Sequence, residues 1–320
     1  MAVPDRIVTN ADLEAMVDTS DAWIVERTGI SQRHIAAPDE TSADLATTAA
    51  LAALADAGLE PGDIDLVICA TTTGDCLWPA TACLVQHRIG AGHAAAFDIS
   101  AACSGFCYGL AIARDMVMAG TATRALVIGA DTLTKHVDWT DRTTCILFGD
   151  GAGAVVVGPC EPGRGILASE LRADGSKFEA VWLPAGGTKR PLTPEMLAAG
   201  QGKLTMHGAE VFKFAVRIMG EISLSVLARA GLGPDDVSLF VPHQANARII
   251  AAAAERMRLT PDRVMRNVER YGNTSAASIP IALTEAVAAG RVAFDDILVL
   301  VGFGAGLTWG ANVLRWSRAD

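Results

Sequence analysis

Two stretches of this chain repeat each other, and that duplication limits the fold more than any single motif does. Leu54-Ala-Asp-Ala-Gly-Leu-Glu-Pro-Gly-Asp-Ile-Asp-Leu-Val-Ile-Cys-Ala70 matches Leu227-Ala-Arg-Ala-Gly-Leu-Gly-Pro-Asp-Asp-Val-Ser-Leu-Phe-Val-Pro-His243 at eight of seventeen positions without a gap, at an offset of 173. Each copy predicts a helix ending at Gly58 or Gly231, a proline-containing turn and a buried strand. Further on, Ala119-Gly120 before the strand-like Ala125–Gly129 is echoed by Ala289-Gly290 before Ile297–Val301, at an offset of 170. The chain therefore reads as two βα-rich halves of one plan, with mostly parallel sheets covered by helices. Ligands of such sheets gather at the carboxyl ends of the strands. His243 falls just past the end of its strand, and Cys103 and Asn273 take equivalent places, each sixteen residues before its Ala-Gly pair. Three polar or reactive groups from distant segments are thus expected to converge between the halves.

The composition leaves room for a large core. The 320 residues are 51% hydrophobic and 19% charged, which argues against disorder and for extensive buried surface, including a subunit interface. The net charge of −10 gives no whole-molecule footprint for nucleic acid, so an acidic partner needs a local basic patch. Ile297–Leu314 is the most apolar stretch, but Gly302, Gly304, Gly306 and Gly310 break it into strand, turn and strand, and no membrane span is expected. The seven cysteines show no CxxC pair and no zinc-type cluster with histidine, so no metal site is predicted. Their odd number and the lack of a signal peptide fit a reducing cytoplasm.

Cys103 lies in Asp98-Ile-Ser-Ala-Ala-Cys-Ser-Gly-Phe-Cys-Tyr-Gly-Leu110, where an apolar strand runs through small residues into a helical pattern. That context predicts a thiol at the first turn of a buried helix, where unpaired N–H groups and the helix dipole favour the thiolate. A thiolate is both a good nucleophile and a good thioester leaving group, which points to acyl transfer. Cys107, one turn along, reads as packing. His243 sits in a strand-to-helix turn, where a lone histidine is more often structural. Asn273 follows a glycine before a helix, where N-capping explains it equally well.

Together these segments carry a resemblance. Asp98–Leu110, His-Gln-Ala-Asn at 243–246, Gly-Asn-Thr-Ser-Ala-Ala-Ser at 272–278 and Gly-Phe-Gly-Ala-Gly-Leu-Thr-Trp-Gly at 302–310 closely resemble the β-ketoacyl-acyl carrier protein synthase III family. Thr19–Ile30 and Phe148–Ala154 extend the match to nearly the whole chain. The resemblance implies a thiolase-like α/β fold whose two duplicated βα halves stack as α-β-α-β-α, with 1–160 holding Cys103 and 161–320 holding His243 and Asn273. It implies decarboxylative condensation of a short acyl-CoA, such as acetyl-CoA, with malonyl-acyl carrier protein through an acyl-Cys103 intermediate. His243 and Asn273 would donate to the enolate, and Gly304, Ala305 and Gly306 would belong to the oxyanion loop. That loop holds no second cysteine, unlike thiolases, and Asn273 stands where elongating synthases have a second histidine.

Further residues carry over from the resemblance. Trp23 and Arg142 would sandwich the CoA adenine, with Arg27 and Thr28 beside it and Asn246 in the pantetheine tunnel. Trp78 would reach across a homodimer interface to close the acyl pocket and favour a short primer. Lys213, Arg248 and Arg256 would form a basic rim for the acidic carrier protein. No cofactor is expected, acyl-CoA being a substrate. Related readings are a priming synthase or acyltransferase of a polyketide pathway, and a silent partner subunit of an active synthase. Two departures stand out. Family chains usually start with a hydrophobic strand before the segment matching Val3–Asn10, so the first half-sheet is expected to have an open edge. The Gly186–Gly202 stretch reads as an insertion near the pocket.

Overall fold

The computed structural model describes residues 1–318. Its strands are β1 (Ile7–Thr9), β2 (Gln32–His34), β3 (Leu66–Ala70), β4 (Ala95–Ile99), β5 (Ala125–Asp131), β6 (Gly151–Val157), β7 (Gly165–Ala173), β8 (Val181–Trp182), β9 (Thr205–Met206), β10 (Leu239–Pro242), β11 (Ile297–Gly304) and β12 (Thr308–Arg315). Its helices are α1 (Asn10–Glu14), α2 (Asp21–Thr28), α3 (Ser42–Ala57), α4 (Thr81–Ile89), α5 (Gly105–Met118), α6 (Pro194–Ala198), α7 (Gly208–Arg229), α8 (Ala247–Arg256), α9 (Val268–Tyr271) and α10 (Ser278–Ala288).

Two four-stranded sheets form, in the orders β4-β3-β5-β6 and β10-β11-β12-β7. β3 runs parallel to β4 and β5, and β10 runs parallel to β11; β6 closes the first sheet antiparallel, while β12 lies antiparallel between β11 and the edge strand β7 of the second. Alternate side chains along each strand explain the layering. Leu66, Ile68 and Val127 of the first sheet and Leu239, Val241, Leu298 and Leu300 of the second pack on α5 and α10 between the sheets. The intervening residues Val67, Cys69, Leu126 and Ile128 pack outward on α3 and α4, while Phe240, Val299 and Val301 pack on α7 and α8. Because both faces are covered, β3, β10 and β11 are apolar from end to end. Five layers result, α3/α4, sheet, α5/α10, sheet, α7/α8.

The repeat becomes visible in local structure. α3 starts at Thr41 with a capping box to Asp44 and stops at Gly58, whose φ of 65° is the left-handed geometry a helix end requires. Single helical turns at Pro61–Asp63 and Pro234–Asp236 then lead into β3 and β10. One sequence expectation is corrected. α5 has 14 residues and α10 has 11, so the two helices end at an offset of 170 but begin at 173. The structural counterpart of Cys103 is therefore Ala276, and Asn273 lies three residues earlier, in the loop that enters the turn.

Among the described residues the outer edge of β6 has no strand partner beyond Ala152, which exchanges backbone hydrogen bonds with Ala2. Two apolar cavities of about 540 and 320 Å³ flank that edge, both touching Val155, Val156, Leu283 and Trp316. In the second half the corresponding edge, that of β12, is covered by β7. The Gly186–Gly202 stretch lies between β8 and β9, contains α6, and is tied across its base by Arg190 bonding to Gln201 at 2.7 Å. Among the described residues no helix is long and apolar enough to cross a membrane.

Candidate active site

Cys103 sits in a single 3₁₀ turn, Ala102–Ser104, between β4 and α5. Ala102 there has a φ of 46°, the left-handed region that side chains avoid, and Ser275 at the start of the matching turn has 51°. Two strained residues thus bend the chain at equivalent points, one beside the nucleophile and one beside Asn273. Glycines admit the close approach that follows. A Cβ on Gly304, at the end of β11, would lie 2.5 Å from the Cys103 nitrogen, and one on Gly302 would lie 2.9 Å from the Cys103 carbonyl oxygen. The C-terminal end of β11 therefore packs directly on the Cys103 backbone.

His243 follows β10 and is 1% exposed. Its Nδ1 lies 2.6 Å from Ser278 Oγ, and its ring meets Phe303 edge-on at 5.4 Å. Burial pushes its pKa down to about 3, so the imidazole is neutral at ordinary pH. Asn273 is held through its backbone, bonding to the Leu147 carbonyl and accepting from the Gly149 N–H. Its side-chain oxygen accepts the Ser275 N–H at 2.9 Å, which turns the amide NH₂ away from that bond as the available donor. Behind this loop, buried Asp131 accepts from the Thr72 N–H and the Thr73 hydroxyl, both at 2.8 Å, and from the Ala276 N–H at 3.3 Å. It joins the first sheet to the Asn273 turn. Sequence reasoning missed Asp131, whose role lies in tertiary hydrogen bonds.

Burial pushes the Cys103 thiol up to about 12, with the Ser275 hydroxyl bond lowering it and Asp131 raising it further. This corrects the expectation of a resting thiolate, because loss of hydration outweighs the helix-start position. Cys107 is fully buried and its thiol also stands at about 12, as a packing residue should.

Two cavities meet at Cys103. The outer one, about 370 Å³, is lined by Trp23, Arg27, Thr28, Asn246, Arg248 and the three residues Cys103, His243 and Asn273. The inner one, about 240 Å³, reaches from Cys103 to Leu133, His136, Trp182, Leu183 and Leu204, with Phe148 and Ala305 on the walls of both. Of this inner chamber Ala102, Cys103, Phe148, Ser275 and Ala305 lie in the sequence motifs, whereas Leu133, His136, Trp182, Leu183 and Leu204 come from scattered segments without a fixed spacing.

The remaining sequence candidates divide. Arg27 and Arg142 place their guanidinium carbons 4.6 and 5.2 Å from the Trp23 ring centroid. A planar base between Trp23 and Arg142 needs a separation of about 7 Å, so Arg142 must swing outward to admit one. Thr28 and Asn246 hold local structure as well as lining the cavity. The Thr28 hydroxyl bonds within α2, and Asn246 caps α8 while its amide donates to the Arg27 carbonyl. Arg248 stacks on Phe212 at 5.0 Å and Lys213 is exposed on α7. Arg256 is instead paired with Glu221 at 3.3 Å, which weakens its place in a basic rim. Trp78 is 83% exposed and does not line the chamber of its own chain. Gly306, with a φ of 131°, turns the loop after Gly304.

The neutral state of His243 has a stability signature. Its folded value, about 3, lies below the ordinary 6.5, so the folded protein binds fewer protons than the unfolded chain between them. The stability this group contributes is complete above pH of about 6.5 and is lost as pH falls toward about 3. The urea midpoint is expected to fall more steeply across that window in the wild-type protein than in His243→Gln. Parallel curves would show that His243 does not titrate in this way.

Known proteins match along the whole chain. Residues 97–175 match the family described as 3-oxoacyl-[acyl-carrier-protein (ACP)] synthase III, and residues 227–316 match its C-terminal region. The β-ketoacyl-[acyl-carrier-protein] synthase III of Symbiobacterium thermophilum is 55% identical over 318 residues, 99% of this chain and 96% of that protein. The crystal structure of 3-oxoacyl-[acyl-carrier-protein] synthase III from Aquifex aeolicus is similar with a TM-score of 0.90 and 48% identity, covering 98% of this chain and 97% of that one. A priming β-ketosynthase from a polyketide biosynthetic pathway superposes with a TM-score of 0.93 at a lower identity of 36%, covering 99% and 94%. The glycine-guarded cysteine, the neutral histidine and the oriented asparagine therefore stand in a chain that belongs to the β-ketoacyl-[acyl-carrier-protein] synthase III family.

Proposed function

We propose that Cys103 carries an acyl group between two half-reactions and that His243 and Asn273 stabilise the enolate formed in the second. The observation that carries this reading is the position of Cys103 where the outer and inner cavities meet, with both partners on the outer one. In the first half-reaction the Cys103 sulfur adds to the acyl-CoA carbonyl and CoA departs, its sulfur receiving the thiol proton. The backbone N–H of Cys103 and one from the Gly304–Gly306 loop receive the oxyanion. The acyl chain then occupies the inner chamber. In the second, malonyl-acyl carrier protein loses carbon dioxide, and the enolate oxygen accepts from neutral His243 and from the Asn273 amide. The enolate carbon attacks the thioester, Cys103 leaves as thiolate and recovers a proton from solvent, and 3-oxoacyl-acyl carrier protein departs. Neutral donors suit the step, since they stabilise the enolate oxygen while leaving its carbon unprotonated. No cofactor enters this scheme.

A short primer fits the 240 Å³ chamber. Trp78 and its neighbour Leu77, 83% and 88% exposed, support an apolar contact with a second copy of the chain, whose chamber Trp78 would close. Acetyl-CoA is expected to acylate the protein at least about tenfold faster than an eight-carbon acyl-CoA, with Trp78→Ala narrowing the difference. Single-turnover mass measurements check this. Faster acylation by the long chain would overturn the short-primer reading, and a monomer by light scattering would overturn the shared pocket.

Lys213 and Arg248 support docking of an acidic carrier protein beside the outer cavity. Lys213→Glu is expected to raise the KM for malonyl-acyl carrier protein about threefold to tenfold at low salt, with the gap closing as salt rises and acylation by acyl-CoA unchanged. Equal KM values at low salt would remove Lys213 from the rim. The reading as a whole is tested by adding malonyl-acyl carrier protein to acylated enzyme. Loss of the adduct together with 3-oxoacyl product is expected, whereas simple hydrolysis of the adduct would overturn condensation.

A further inference from the structure

Ser278 opens α10 with its hydroxyl turned away from solvent; the residue is 2% exposed. Two groups meet its Oγ. The Gln244 N–H donates to it at 3.3 Å, and His243 Nδ1 lies 2.6 Å away. A backbone N–H donates only, so the oxygen is an acceptor toward Gln244. If Nδ1 also carried a proton, two donors would face one oxygen, and the hydroxyl hydrogen would be left in a dry site with no acceptor among its observed partners. The alternative satisfies every group. The Ser278 O–H donates to Nδ1, and the imidazole proton then resides on Nε2, the nitrogen that can face the cavity shared with Cys103 and Asn273. Phe303 fixes the ring plane from the side, 67° from parallel.

We propose that Ser278 is a positioning residue that holds His243 as its Nε2–H tautomer and so makes it a donor to the enolate. This rests on the assignment of His243 to the enolate step, but the tautomer itself can be read on the resting protein. Nearest in sequence to the site are two other serines with different tasks. Ser275 bonds to the Cys103 thiol, and Ser104 bonds to Thr308 at 2.8 Å. Ser278 alone of the three faces the histidine.

The test begins with nitrogen NMR of the unaltered enzyme labelled at histidine, its His243 signal identified by loss in His243→Gln. A protonated Nε2 and a bare, hydrogen-bonded Nδ1 are expected; a protonated Nδ1 overturns the proposal whatever the variants do. Ser278→Ala is then expected to lower condensation about tenfold to a hundredfold, from loss of ring orientation, while acylation of Cys103 by acetyl-CoA stays within about twofold. Ser278→Thr, which keeps the hydroxyl, should restore most of the rate. Equal losses in both half-reactions, or no rescue by threonine in a folded variant, would assign Ser278 a packing role only. Failure of the enolate assignment looks different, because the tautomer would be as expected while His243→Gln would leave condensation intact.

Discussion

Cys103→Ala is expected to lower condensation by at least about 10⁴-fold and to remove the acyl adduct entirely. The covalent route separates a thioester exchange, which loads the acyl group on sulfur, from the carbon–carbon bond formation that removes it, and no neighbouring group can replace the sulfur. The remaining thiols are poor substitutes: Cys69, Cys107 and Cys145 are buried, and Cys76, Cys83 and Cys160 are exposed and none of the three lines the outer or inner cavity. Intact mass after incubation with acetyl-CoA reads the adduct, and product formation with malonyl-acyl carrier protein reads the overall rate. Asn273→Ala separates the two half-reactions. Its amide faces the enolate step, so the adduct should form while condensation falls about 10²–10³-fold. A full acetyl adduct in Cys103→Ala would move the nucleophile elsewhere, and loss of the adduct in Asn273→Ala would place that amide in the first step instead.

The largest expected effect on folding belongs to Gly129→Ala. Gly129 lies in the middle of β5, where a Cβ would be driven into the carbonyl oxygen of Ala276 and would stand 2.7 Å from its carbonyl carbon. Both are main-chain atoms in the turn that begins at the strained Ser275, so no side chain can rotate aside. The strand and the turn must part, and with them the two halves of the molecule and the Asp131 link between them. A cost of about 4 kcal/mol or more is expected, in the range of severe overpacking. The urea midpoint and the yield of soluble protein check it. A soluble variant with an unchanged midpoint would show that the turn shifts freely, and its condensing activity would then report how far Asn273 had moved.

The duplication makes the layering legible in the sequence itself. Helix, glycine, proline turn and strand recur at 54–70 and 227–243 because local signals of helix ending and strand burial were strong in both copies. The same pattern misplaced Asn273 relative to Cys103, since an internal helix shorter by one turn is invisible when only the helix ends are compared. The cysteine, histidine and asparagine were readable as individual residues in turns, but the physical state of the thiol was not. Its position suggested an ionised sulfur, while the surroundings that hold it neutral come from sheet packing and from Asp131, 28 residues away in sequence. The inner chamber was hidden for a similar reason. Leu133, Trp182 and Leu204 share no motif, and only the folded chain brings them to the same cavity. Arg256 was legible as a surface cation, yet its partner Glu221 sits on another helix.

The edge of β6 bears on how the segment ahead of Ala2 is handled in the laboratory. Ala2 pairs antiparallel with Ala152, and Met1 beside it is partly buried. Residues joined ahead of Met1 are therefore directed along β6 toward Val157, into hydrogen-bonding distance of an unsatisfied row of backbone groups. A purification tag placed there is a guest in the sheet and cannot be treated as an inert handle. The same exposed row is a template for strand exchange between molecules at high concentration, so storage conditions and tag position bear on one and the same surface.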